Sequence, residues 1–163
     1  MQKVTEAAVK CYHCGELCLD ETIIANEKQF CCDGCKLVYE ILNENNLCTY
    51  YNFNATPGIS PGNNVVEKRF AYLDEKNVKS KLLQFSDGNT AAVTFFIPQM
   101  HCSSCIWLLE NLTRINDSIL RSRVNFLRKE VHVYFKEDTF SLRKLVELLS
   151  TIGYEPRINL EDL

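Results

Sequence analysis

Ala91-Ala92-Val93-Thr94-Phe95-Phe96-Ile97-Pro98-Gln99-Met100-His101-Cys102-Ser103-Ser104-Cys105-Ile106-Trp107-Leu108-Leu109-Glu110 is the stretch on which the fold turns. A β-rich run ends at Pro98, a short polar loop carries two thiols in C-x-x-C spacing, and an apolar helix begins at once. A helix N-terminus beside Cys102 and Cys105 is expected to stabilise both thiolates and lower their pKa, readying them for a soft metal or for redox exchange. Met100 reads as a core plug that fixes the loop. His101 is either a third donor or an exposed polar residue, and Ser103 and Ser104 are expected to cap the helix. Trp107 lies either against the sheet or on a docking surface.

Working outward, residues 103–115 form an amphipathic helix pattern with Cys105, Leu108, Leu109 and Leu112 on one side. Residues 119–126 and 130–135 alternate apolar with polar, most visibly at Val131, Val133 and Phe135. Residues 141–152 predict a second helix with Leu142, Leu145, Val146 and Leu149 inward and Gly153 just past its end. A closing strand is expected over 154–158. The order β-α-β-β-α-β is the ferredoxin-like split unit, with the two thiols in its first loop.

Nine Cys are the outlying feature of the composition: seven precede residue 49 and two stand at 102 and 105. An odd count without a secretory leader in Met1–Lys10 predicts reduced thiols in the cytosol rather than a disulfide scaffold. The net charge of -3, with the 18 Lys and Arg scattered, argues against nucleic acid as a partner. The longest apolar runs are too short to cross a bilayer, so the chain is expected to be soluble.

The front of the chain opens with Cys11-Tyr12-His13-Cys14-Gly15, continues through a hairpin expected over 22–30, and reaches Cys31-Cys32-Asp33-Gly34-Cys35. From Cys35 the pattern turns helical, with Leu37, Val38, Ile41 and Leu42 at three- and four-residue steps until Asn43-Glu44-Asn45-Asn46. Knuckle, hairpin and a Cys-led helix are the order of a treble-clef-like module. Its C-x-x-C and second Cys group predict a four-thiolate site, with zinc as the default occupant because so small a module needs a staple. Cys31 and Cys32 point to opposite sides of an extended strand. Cys31 with Cys35 is preferred, leaving Cys32 as the spare thiol, although both are carried as metal candidates. His13 is not needed as a ligand, and Cys18 and Cys48 read as small buried hydrophobes. Residues 49–64 read as a turn-rich connection, followed by a short helix over 73–85 and a turn at Ser86-Asp87-Gly88-Asn89. The expected division is therefore 1–48, 49–89 and 90–163, in an α+β chain whose middle segment is long enough to touch both flanks.

Met100-x-Cys102-x-x-Cys105 after the first strand, Val124-Asn125 on the second and Gly153-Tyr154 after the second helix together resemble the heavy-metal-associated domain. That domain is found in copper chaperones and at the N-termini of heavy-metal P-type ATPases, and the likeness covers about 91–158. Gln99 departs from the Gly that many such domains carry before the Met. The segment from His101 to Glu110 and the front Cys cluster, with Val38-Tyr39 and Tyr50-Tyr51, are similar to the copper-transporting ATPases associated with assembly of cbb3-type cytochrome oxidase. The resemblance implies a non-enzymatic N-terminal region of a pump, at the cytosolic face of a bacterial inner membrane. It implies Cu(I) at Cys102 and Cys105, and zinc or a second copper at the cluster of Cys11, Cys14, Cys31, Cys32 and Cys35. Implied partners are a cytosolic copper chaperone or copper–thiol complexes and the membrane and nucleotide-binding domains of the same parent chain. Cu(I) is soft and tolerates two thiolate ligands, whereas zinc usually takes four in a closed site. A thiol–disulfide module and a zinc-binding interaction scaffold are the competing functions.

Overall fold

The computed structural model describes residues 9–19, 23–60, 69–159 and 161. The expectations placed on residues 1–8, on the start of the hairpin at residue 22 and on Pro61-Gly62-Asn63-Asn64 lie outside them.

The front begins with a tight turn in which the Gly15 amide donates to the Cys11 carbonyl at 3.0 Å. A two-stranded hairpin follows, β1 (Ile24–Ala25) against β2 (Lys28–Gln29). Asn26 and Glu27 both hold positive φ, the two-residue turn whose twist matches that of paired strands. Helix α1 (Asp33–Glu44) starts where the Cys32 sulfur accepts the Cys35 amide at 3.4 Å, with Asp33 complementing the helix dipole. Its buried side divides. Cys35 and Tyr39 join Cys11 and Phe30 in a small cluster, while Val38 and Leu42 enter the main core with Leu47. A single turn, α2 (Tyr50–Phe53), follows.

Beyond a 3-10 turn at Ala71–Asp74, α3 (Lys76–Leu82) stops three residues before the helix expected from sequence. The chain instead forms β3 (Leu83–Ser86), antiparallel to β4 (Thr90–Phe96). Asp87 turns it: one carboxylate oxygen accepts the Asn89 and Thr90 amides at 2.9 and 2.7 Å, satisfying donors a helix would have used otherwise. The sheet thus runs across residue 89, where the sequence suggested a boundary.

Helix α4 (Ser103–Glu110) is shorter than expected and relaxes into a 3-10 turn at Leu112–Arg114. Strands β5 (Ile119–Asn125) and β6 (Glu130–Lys136) form as the alternation predicts, followed by α5 (Leu142–Thr151), capped by Ser141. The chain is α+β, with an antiparallel sheet of order β3-β4-β6-β5. Val93 pairs with Val133 and Phe95 with Val131. These four join Leu108 and Leu109 of α4 and Leu145, Val146 and Leu149 of α5 in one buried core. Each such fully buried aliphatic side chain contributes about 1.5–3 kcal/mol relative to exposure.

The closing strand expected over 154–158 does not form. One bridge remains, Arg157 donating its amide to the Phe96 carbonyl at 2.8 Å. Pro156 has no amide to give a ladder, which limits pairing there. Two segments therefore share the outer edge of β4, residues 83–86 on its first half and Arg157 at its end.

Gly153 ends α5 at φ +95°, and a Cβ there would lie 2.5 Å from the Ile59 carbonyl oxygen. Backbone against backbone has no flexible end to give way. Gly153→Ala should therefore lower stability in a urea titration by about 2 kcal/mol or more, from left-handed strain and the clash together. A variant unfolding at the wild-type midpoint would contradict this close approach.

Candidate metal centres

Among the described residues, two groups of potential metal ligands come together. The first is Cys11, Cys14, Cys31 and Cys35, whose sulfurs all lie within 4.8 Å of one another. Cys14 and Cys31 stand 3.5 Å apart, and Cys31 and Cys35 3.6 Å. Four thiolates tetrahedral about zinc at 2.3 Å would be about 3.8 Å apart, so this donor set fits a tetrahedral thiophilic ion. Cys11 and Cys35 are fully buried while Cys14 and Cys31 are half-buried. The turn supplies the first pair; the end of the hairpin and the first turn of α1 supply the second.

The Cys11 thiol is pulled down to about 4 by the hydrogen bond from Cys35, against the opposing effect of burial. The same bond, together with burial, pushes Cys35 up. Burial raises Cys14 and Cys31 as well. Metal binding takes the thiolate form, so a cation entering this group would displace the thiol protons.

Cys32, carried as a metal candidate but as the spare thiol of the pair, is not among the four sulfurs that come together. Its sulfur caps α1 and lies 3.3 Å from the Ser60 hydroxyl. Burial opposes its ionisation, but the Ser60 and Cys35 hydrogen bonds outweigh this and lower its pKa. His13 sits inside the turn yet is no member of the group. Its ring is wholly buried, Nδ1 is 2.9 Å from the Tyr51 hydroxyl, and burial pushes its pKa down to about 4. A Cβ on Gly58 would fall 2.2 Å from that ring, so only glycine permits the approach. Cys18 and Cys48 are half-buried and pack against the front cluster.

The second group is His101, Cys102 and Cys105. The Cys102 and Cys105 sulfurs are 3.3 Å apart, and His101 Nδ1 lies 3.4 Å from Cys105 and 2.9 Å from the Gln99 carbonyl. Cys105 is fully buried, Cys102 half-buried and His101 exposed, so the group has a buried floor and an open mouth. Met100 is buried beneath it, as expected, and Lys129 donates to its carbonyl at 2.5 Å. Burial raises the Cys105 pKa despite hydrogen bonds from Tyr154 and the His101 backbone, the reverse of the lowering expected from the helix N-terminus. Cys102 itself occupies the N-cap position of α4, without a side-chain cap bond. Neither serine caps the helix; Ser104 is buried and donates to Asn54 at 3.2 Å. Trp107 is half-buried with its ring 5.9 Å from that of Phe53, so it packs on α2.

Sequence reasoning assigns no chemistry to Tyr50, Tyr51 and Tyr154, yet they connect the two groups. Tyr154 donates to the Cys105 sulfur at 2.9 Å, and its oxygen lies 2.5 Å from that of Tyr50. The available signal was a pair of amphipathic rings, Tyr50-Tyr51, in a segment otherwise read as connection. No described helix is long and apolar enough to cross a membrane.

Residues 10–87 match the family described as "Putative metal-binding domain of cation transport ATPase", just under half of the chain. Comparison with curated proteins and with solved structures gives no significant match.

The two adjacent thiols should separate cleanly. Cys31→Ser should weaken metal binding at the front by more than the about 10–100-fold cost of losing an outer-shell partner. Cys32→Ser should retain the metal, since a serine hydroxyl is itself a good cap. Metal content by mass spectrometry of the two variants decides it; equal loss in both would return Cys32 to the ligand set.

Proposed function

We propose that the chain is the metal-binding N-terminal region of a Cu(I)-translocating P-type ATPase, with Cys102 and Cys105 as the transfer site. The observation that carries this is the half-open loop: two sulfurs 3.3 Å apart, one buried and one accessible, with a histidine nitrogen beside them. A soft monovalent ion tolerates two thiolates, and an open face admits an incoming thiol that displaces one of them. Ligand exchange can then carry the ion from a cytosolic chaperone or copper–thiol complex to the next site on the parent protein. The strand and helix order β4-α4-β5-β6-α5 supports a heavy-metal-associated, ferredoxin-like unit around that loop. The metal-binding family matched by residues 10–87 supports a cation-pump parent.

The front group has a different task. Four close thiols with two buried suit a resident Zn(II) that staples a small module, and Cys11, Cys14, Cys31 and Cys35 would hold it. On this assignment the chain itself catalyses nothing, and it faces the cytosol beside the membrane and nucleotide-binding domains of its parent.

A titration of Cu(I) against a chromogenic chelator tests the assignment. Wild type should bind one tightly held Cu(I), and Cys102→Ser/Cys105→Ser should lose it while retaining zinc at the front. Unchanged Cu(I) stoichiometry and affinity in that double variant would sink the site assignment. A reversible Cys102–Cys105 disulfide with reductase turnover, and no Cu(I) uptake, would instead favour the redox function.

A further inference from the structure

The two metal groups lie on one folded body, and the contacts between them run through α2. Tyr50 and Tyr154 are both fully buried. Tyr154 has one hydroxyl proton, and it is directed at the Cys105 sulfur, 2.9 Å away. In the 2.5 Å contact between the two hydroxyls the donor is therefore Tyr50. The result is a directed chain: Tyr50 O–H to Tyr154 oxygen, Tyr154 O–H to Cys105 sulfur. Donation from Tyr50 polarises the Tyr154 hydroxyl and strengthens its bond to the sulfur.

The next residue of α2 rests on the front. Tyr51 packs on both hydrophobic clusters, its hydroxyl reaches His13 between Cys11 and Cys14, and its ring lies edge-on to Tyr50 at 5.2 Å. A second contact runs in parallel: Gly58 closes over the His13 ring, and the next residue, Ile59, presents its carbonyl to Gly153 beside Tyr154. The front thiols set the turn that holds His13, and His13 sets the position of Tyr51.

We infer that Tyr50 is a positioning residue for the Cys102–Cys105 site, and that α2 makes the grip of that site depend on whether the four-cysteine group is filled. This rests on the Cu(I) assignment proposed above. It adds that the front group conditions the transfer site as well as stapling its own module. Linkage requires the effect to be mutual, so Cu(I) at the loop changes metal affinity at the front by the same factor.

Tyr50→Phe keeps the ring and removes the donor. In the zinc-loaded chain it should weaken Cu(I) binding at the loop, by at most the about tenfold that losing a hydrogen bond to a charged sulfur costs, and shift the thiolate-to-copper absorption band. Tyr154→Phe should do at least as much, and the double variant no more than Tyr154→Phe alone, because the two hydroxyls act in series. Removing front zinc should lower Cu(I) affinity more in wild type than in Tyr50→Phe. Should Tyr50→Phe fail to fold by circular dichroism, Tyr51→Phe gives the second test, and it should likewise reduce the zinc dependence. Wild-type affinity and spectrum in Tyr50→Phe, or fully additive effects with Tyr154→Phe, would overturn the inference while leaving the Cu(I) assignment standing. Absence of Cu(I) binding at the loop in wild type would overturn both.

Discussion

The front of this chain buries too little apolar surface by itself, and α1 resolves the difficulty by serving two cores. Cys35 and Tyr39 on one side complete a cluster whose buried members otherwise number Cys11, Phe30 and Cys32. Val38 and Leu42 on the other enter the core under the sheet. A cluster that small cannot offset the conformational entropy of the turn and hairpin around it. The front therefore leans on the neighbour with which it shares a helix and, on the assignment proposed above, on thiolate–metal bonds. The folding of the front and the shape of the rear are two descriptions of one packing problem.

The same sharing explains why phenols sit where leucines would be expected. A buried hydroxyl without a partner is costly, so Tyr50 and Tyr154 persist in the interior only because each satisfies the other and the pair ends on a sulfur. The two thiol groups differ in the way their chemistry requires. One is drawn in around its four sulfurs; the other keeps Cys102 and His101 towards solvent over a buried Cys105.

Most of the rear of the molecule was legible. Val131, Val133 and Phe135 alternate because one face of β6 is wet, and Leu142, Leu145, Val146 and Leu149 follow a helical period because one side of α5 is dry. Ser141 and Gly153 mark the ends of that helix through their own backbone chemistry. The C-x-x-C spacings located both thiol groups, since a turn of that length brings its two sulfurs together. What escaped were features set by partners distant in sequence. Leu83–Ser86 carries no alternation because it is mostly exposed on an edge, so nothing separated it from the preceding helix. That Cys32 rather than Cys31 places its sulfur at the first turn of α1 depends on the folded start of that helix, which spacing alone does not show. The lowering expected for both loop thiols failed at Cys105 because burial beneath Tyr154 acts against the helix terminus. The tyrosine link joins residues 104 positions apart, and no local pattern announces such a contact.

The divided edge of β4 has a bearing on how this protein can be cut. Residues 83–86 pair with Ala91, Ala92 and Val93, and Arg157 pairs with Phe96. The turn at Asp87-Gly88-Asn89 looks like a natural place to excise the loop-bearing half. Excision there would strip one partner from that edge and leave a row of unpaired amides and carbonyls on an apolar strand. Such an edge templates strand addition from other molecules. A piece that begins at residue 90 would therefore tend to self-associate, and its oligomers would be artefacts of the cut rather than a property of the intact chain.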